Sequence, residues 1–246
     1  MVTTLLADKY APITSEIGFL QCDAETVTNA IVNWQKSIQA KRGVSLLVER
    51  LSGDLESTLP KLLPLTSVEH RRTLIVPTVS RWTAYFDNGW RGTDACSEIS
   101  YLSGILGCRG VRSVCVPNSL DGQTGRAPGR YGAVILELFS AKTTYFLNTE
   151  RSIAAVNDGG KWAFSASGTP QEFEDSAQYG KRLVKDRFTP ELLSRYLESL
   201  GIRAFDETFY DASSSSFLIR KEGAVNQDVR EYSLQQARAA LGVAGG

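Results

Sequence analysis

The chain is 246 residues long, and its 27 Lys plus Arg are matched by 27 Asp plus Glu, so the formal net charge is zero. That balance removes the summed positive field that drives non-specific binding to nucleic acid or to an anionic membrane surface. An apolar fraction of 42% and a charged fraction of 22% are ordinary for a globular protein, long enough to bury a real core and too apolar for a disordered one.

The four cysteines, Cys22, Cys96, Cys108 and Cys115, are widely spaced and form no CxxC, and the chain has one histidine, His70. A zinc site would need most of these brought together by folding alone, so buried reduced thiols are expected, with no metal and no cofactor. The segment MVTTLLADKYAP has no basic stretch followed by a long apolar one, and no apolar run approaches the ~20 residues needed to cross a bilayer. The expectation is a cytoplasmic protein, in a reducing environment, without a membrane partner.

In chain order, Ser15 to Cys22 reads as a short strand. Asp23 then caps a helix with Val27, Ala30, Ile31, Trp34 and Ile38 at helical spacing and Gly43 as its stop. A strand over Val44 to Leu51 completes a β-α-β opening, with Trp34 expected at the centre of the helix–sheet contact. Leu55, Leu59, Leu62 and Leu63 suggest a short helix around Pro60. Thr73 to Val79 is a β-branched run. After it, Trp82, Ala84 and Phe86 alternate with Thr83, Tyr85 and Asp87, which places the two sets on opposite faces of a strand.

Asp87-Asn88-Gly89 is turn chemistry, and Thr93 or Asp94 is placed to cap a helix carrying Ile99, Leu102 and Leu106, ended by Gly107. A strand follows over Val111 to Val116. Pro117 to Arg130, rich in Gly, Pro and polar residues, is expected to be an exposed loop. Tyr131 to Phe139 and Thr143 to Leu147 read as strands. Ile153 to Val156 and Trp162 to Ser165 flank Asn157-Asp158-Gly159-Gly160, a hairpin signal because Asp-Gly and Gly-Gly supply positive φ.

Thr169-Pro170-Gln171-Glu172 combines a capping box with proline at the first helical position, which predicts a surface helix over Phe173 to Lys185. Thr189-Pro190 opens another, with Leu192, Leu193, Tyr196, Leu197 and Leu200 facing inward. Ile202 to Tyr210 is expected to return as a strand. Beyond the Ser213 to Ser216 break, a short strand at Phe217 to Ile219 and a helix within Gln227 to Leu241 complete the chain. The whole predicts an α+β fold with a mostly antiparallel or mixed sheet. One domain spans residues 13–210, and residues 211–246 form a partly flexible C-terminal appendage.

One stretch departs from generic packing: Arg81 to Asp94, RWTAYFDNGWRGTD, concentrates aromatic, cationic and acidic side chains around a turn. Arg81, Trp82, Tyr85, Asp87, Asn88, Trp90, Arg91 and Asp94 are the candidate binding residues. Glu137 joins them as an acid inside an apolar strand, where burial would raise its pKa. Trp and Tyr are equally the residues that anchor a core, and an Asp beside an Arg often fixes a turn.

No GxSxG, HExxH, P-loop or Cys–His arrangement is present, so no catalytic residue is assigned, and whether the chain is an enzyme stays open with the balance against it. Asp87 and Asp94 would repel phosphate, which with net neutrality makes nucleic acid an unfavoured partner. Trp, Tyr and Arg are the residue types that anchor protein interfaces. The expectation is a non-enzymatic module that binds another protein, like the immunity proteins that neutralise a toxin stoichiometrically. That likeness is one of build, carried by no shared motif. The alternative is a small-molecule-binding protein or a hydrolytic enzyme using Asp87, Asp94 or Glu137.

Overall fold

A computed structural model of the protein describes residues 4–39, 42–120, 129–142, 147–224 and 227–243. In chain order the elements are β1 (Glu16–Leu20), α1 (Ala24–Gln39), β2 (Val44–Leu51), α2 (Leu55–Thr58), β3 (Leu65–Thr66), β4 (Arg72–Pro77), β5 (Thr83–Asp87) and α3 (Cys96–Leu106). Then come β6 (Gly110–Val116), β7 (Ala133–Phe139), β8 (Thr149–Asp158), β9 (Lys161–Gly168), α4 (Pro190–Ser199), β10 (Ser216–Gly223), β11 (Glu231–Tyr232) and α5 (Leu234–Ala240). Nine strands form one sheet in the order β2-β10-β4-β5-β1-β6-β7-β8-β9, with β3 and β11 pairing separately. Every adjacent pair is antiparallel, so the fold is α+β with an antiparallel sheet.

The period-2 alternation of the strands divides two cores. Leu20, Ile75, Tyr85, Phe217 and Ile219 face one side, where Val27 and Ile31 of α1 and Ile99 and Leu102 of α3 cover them. Phe19, Leu74, Ala84, Phe86 and Leu218 face the other, against Trp82, Leu193, Tyr196 and Leu197. Each fully buried Leu, Ile or Phe contributes about 1.5–3 kcal/mol, so the two faces together hold the sheet between layers. α3 lies close on β1 and β6 because Gly18 and Gly110 carry no side chain. A Cβ at Gly18 would stand 2.6 Å from Ile99 Cγ1, and one at Gly110 would stand 2.6 Å from Ile99 Cγ2.

Local signals are realised at several ends. Asp23 accepts from Thr26 N–H at 2.8 Å at the start of α1. Gly107 adopts φ +61° at the end of α3, and Gly159 and Gly160 turn β8 into β9 with φ +58° and +89°. Thr189 accepts from Leu192 N–H to cap α4.

Several expectations are corrected. The predicted helix over Phe173 to Lys185 is absent; only the 3-10 turns Ser176–Gly180 and Val184–Asp186 form. Glu174 turns inward to Arg151 and accepts from Gln171 N–H, and Asp175 N–H donates to the Tyr196 hydroxyl, so side chains take the backbone groups a helix would use. The strand expected over Ile202 to Tyr210 is instead a 3-10 turn at Glu207–Phe209 with a single bridge from Tyr210 to Thr78. Ile202, Ala204, Phe209 and Tyr210 are all buried, without the alternation of a half-buried strand. Neither Thr93 nor Asp94 caps α3: Ala95 occupies that position without a side-chain bond.

The chain beyond residue 210 joins the main sheet, because β10 lies between β2 and β4 and pairs with both. β1 and β2 share the sheet with β5, β4 and β10 between them. Most of the expected 117–130 loop tip, 121–128, and positions 143–146 of the predicted Thr143 to Leu147 strand lie outside the described residues. Leu147 itself is not in a strand.

Candidate functional site

The aromatic stretch folds around Asp87, which is fully buried at the end of β5. Its Oδ1 accepts from Gly89 N–H at 2.9 Å and its Oδ2 from Asp94 N–H at 3.0 Å, closing the turn that leads into α3. Its own N–H donates to Thr93 Oγ1, and that hydroxyl donates to Ile13 O. Next to it, buried Asn88 accepts from Arg71 and Arg72 N–H through Oδ1 and donates to Pro64 O through Nδ2. Both side chains work as backbone substitutes, fastening two turns that no regular hydrogen-bond ladder serves.

His70 reaches the same carboxylate, with Nδ1 3.3 Å from Asp87 Oδ2. Burial pulls the imidazole pKa down, and the Asp87 hydrogen bond and charge outweigh it, leaving His70 above its ordinary value. Glu98, in the first turn of α3, is pushed up to about 7 by burial and by the charges of Asp87 and Asp94. Burial depresses Lys221 on neighbouring β10. These groups border a void of about 20 Å³ shared with Trp34, Gln35 and Tyr85. That is room for about one water molecule.

A second network sits where α3 crosses β1 and β6. Arg112 grips Glu16 in a bidentate pair at 2.7 and 2.8 Å and reaches Glu137 at 2.9 Å. Glu16 also accepts from Ala95 N–H at 2.7 Å. Asp87 and Glu16 thereby supply acceptors to consecutive backbone amides at the entry to α3, where the helix dipole favours negative charge. Burial alone would weaken the Arg112 cation; the two carboxylates hold its pKa above the ordinary value. Cys96 lies 3.7 Å from Glu137, and burial with the Glu137 charge pushes its thiol to about 11, so it is not poised as a nucleophile.

The nine sequence candidates therefore separate. Tyr85, Asp87 and Asn88 are interior members of the turn, and Trp82 is a core side chain whose Nε1 donates to Leu200 O at 2.8 Å. Asp94 lends its backbone to that turn and exposes its side chain. Trp90 stacks on Tyr232 with ring centroids 5.0 Å apart, and the guanidinium of exposed Arg91 lies 5.0 Å from the Trp90 ring centroid. Arg81 is exposed at the opposite end of β5 from Trp90. Glu137 belongs to the Arg112 network.

A surface outside that stretch presents apolar side chains to solvent. On α1, Val27 and Ile31 are buried against the sheet, and half-buried Trp34 borders the void with Tyr85 and Ile219 while its ring packs on Tyr101 of α3, ring centroids 4.6 Å apart. One turn further along each helix stand Ile38 and Ile105, and Leu147 is held beside α3 by a hydrogen bond from Ser100 Oγ to its carbonyl. Ile38, Tyr101, Ile105 and Leu147 are between 42 and 50% exposed. On α3 the sequence signal is Tyr101 and Ile105, four apart and off the Ile99–Leu102 face; on α1, Ile38 continues the Val27–Ile31–Trp34 stripe and is exposed in the last turn.

Among the described residues no group of three His, Cys, Asp or Glu side chains could hold a metal ion, and no helix is long and apolar enough to cross a membrane. No family model matches the chain, and neither a curated protein nor a solved structure matches it.

Proposed function

We propose that the protein acts by non-enzymatic, stoichiometric binding of another protein, docked on the apolar surface of Trp34, Ile38, Tyr101, Ile105 and Leu147. The observation that carries this reading is the Trp34–Tyr101 contact, which joins two helices that each expose apolar side chains, Ile38 on α1 and Tyr101 and Ile105 on α3. Contiguous apolar surface rich in aromatics is what protein interfaces use. Lys36, Arg42 and Lys142, all exposed, lie on or just beyond the segments that carry these side chains, which favours a partner with an acidic rim.

The absence of room beside His70 and the commitment of the Asp87 and Glu137 carboxylates to structural bonds support a binder over a hydrolase. A toxin neutralised by capture in the cytoplasm is the partner class that suits it. Three cysteine thiols pushed to about 11 or 12 by burial, Cys96, Cys108 and Cys115, suit the reducing setting.

The test compares wild type with Ile105→Glu and Arg91→Ala, each confirmed folded by circular dichroism. A complex of fixed stoichiometry, seen by native mass spectrometry with the purified partner and lost only in Ile105→Glu, is expected. Equal retention by Ile105→Glu would remove the α1–α3 surface, and loss only in Arg91→Ala would return recognition to the aromatic turn.

A specific observation also favours small-molecule binding. A cavity of about 770 Å³ lies among Leu6, Lys9, Pro117, Arg130, Arg238 and Val243, mixing apolar walls with two guanidinium groups. Saturable stabilisation by one organic anion in a metabolite screen, abolished by Arg130→Gln, would establish this second reading.

A further inference from the structure

On the sheet face opposite α1, the register places two arginines directly across from one another: Arg220 of β10 is the cross-strand partner of Arg72 of β4. Like charges in that position repel and destabilise the pair. Both arginines border a cavity of about 140 Å³; the neighbouring Arg71 and Lys221 alternate to the α1 side of the sheet, where both pair with Glu69 at 3.6 and 3.9 Å. Among the described residues the acids on its wall are Glu222 and Glu231, both exposed, with Glu222 Oε1 3.7 Å from Arg220 Nη2.

The cations are fixed in place. Arg72 Nη1 donates to the carbonyls of Lys61 and Leu63, and Arg71 Nη2 donates to Lys221 O at 2.8 Å. Arg71 and Lys221 side chains are only 11 and 16% exposed. Arg220 Nε is buried without any hydrogen-bond partner. An unsatisfied buried guanidinium N–H, beside a second guanidinium held by the fold, is costly unless an acceptor reaches it. Burial and the charge of Arg220 both weaken the Arg72 cation, as expected where positive charges share a partly dry space.

We propose that this cavity binds a tetrahedral oxyanion, a phosphate or sulfate group, seated against Arg72 and Arg220. The cavity has room for several waters, and therefore for one such group with little more around it. Arginine suits the task because its planar fork presents several N–H donors to the oxygens of one group. The site is independent of the α1–α3 surface and stands or falls separately from it.

Inorganic phosphate is the first probe, titrated against chloride at matched ionic strength, with thermal melting and isothermal calorimetry as readouts. Wild type is expected to show a saturable rise in melting temperature with phosphate and one binding site. Arg220→Gln relieves the Arg–Arg repulsion, so it should melt no lower than wild type without phosphate and bind phosphate at least about tenfold more weakly. Should Arg220→Gln fold poorly, Arg72→Gln carries the same comparison. Sulfate matching phosphate would mark a general oxyanion site, and a phosphate monoester binding more tightly than both would mark the group as part of a larger molecule. No phosphate response in wild type, or an undiminished one in the folded variants, overturns the proposal.

Discussion

His70 Nδ1 lies 3.3 Å from Asp87 Oδ2, and the same oxygen accepts the Asp94 backbone N–H at 3.0 Å. One buried carboxylate atom thus ties the segment before β4 to the entry of α3, seventeen residues apart at its histidine and seven at its amide. The turn, the helix start and the strand pair depend on it jointly.

Asp87→Asn should therefore destabilise the fold beyond an ordinary surface change. The amide keeps one acceptor oxygen and turns a donor toward Gly89 or Asp94 N–H, besides losing the charge facing His70. A loss of about 2–4 kcal/mol is expected. Urea denaturation followed by tryptophan fluorescence reads it, and a midpoint within error of wild type would remove Asp87 as the organiser of the turn.

Gly18→Ala tests the close seat of α3 on the sheet. The added methyl would meet Ile99 Cγ1 at 2.6 Å and Ala95 Cβ at 2.9 Å, both on the helix or at its start. Overpacking of this kind costs about 1–3 kcal/mol. Gly43→Ala is no neutral comparison, because Gly43 has φ +65°; Gly180→Ala, with open space around its Cβ, is the control and should melt near wild type.

Stability should fall as pH rises from about 4.5 to above 7. Glu98, at about 7 when folded and 4.5 ordinarily, keeps a proton in this window that the unfolded chain has released, so rising pH favours unfolding. His70 acts in the same direction: its raised value gives stability fully present below 6.5 and lost as pH passes the folded value. Glu98→Gln should flatten the lower part of this slope and gain about 1–3 kcal/mol over wild type at pH 8. Chemical denaturation at pH 5 and pH 8 measures both; a variant gain no larger at pH 8 than at pH 5 would show that Glu98 is not strained by burial.

The Arg151–Glu174 pair fastens the segment that failed to become a helix. Their side chains are 6 and 2% exposed, 2.6 Å apart at Nη2–Oε2, and Glu174 also accepts from Tyr179. Glu174→Ala leaves Arg151 buried without its carboxylate and should cost about 3–5 kcal/mol, with limited proteolysis cutting first within 169–187. Uniform resistance to the protease would mean that other contacts hold the segment.

The elements that the sequence signalled correctly are those whose information lies within a few residues. Asp23 and Thr189 each cap a helix by reaching an amide three residues on, and Asp158-Gly159-Gly160 turns a hairpin by its own φ angles. Period-2 alternation likewise marked which side of β5 each residue would face, and it set Glu137 on the face with Ile135 and Phe139. The Thr169-Pro170 signal was local too, and it lost to tertiary bonds, because Glu174 gained a buried arginine that helical geometry would have denied it.

What local pattern could not supply is which distant segments meet. The place of β10 between β2 and β4 is fixed by burying Phe217 and Ile219 under α1 and Leu218 on the opposite face, and nothing near residue 217 specifies those neighbours. Turn chemistry at Asp87-Asn88-Gly89 leaves open whether the turn is core or surface; the fold buries Asp87 and brings His70 to it. Trp34 borders the void over the sheet, and its ring contact with Tyr101, on a helix more than sixty residues away, is beyond the reach of local pattern. Composition and periodicity settled the α+β class and most element ends, whereas the charge networks and the exposed apolar surface arose only when the sheet order brought separate strands and helices side by side.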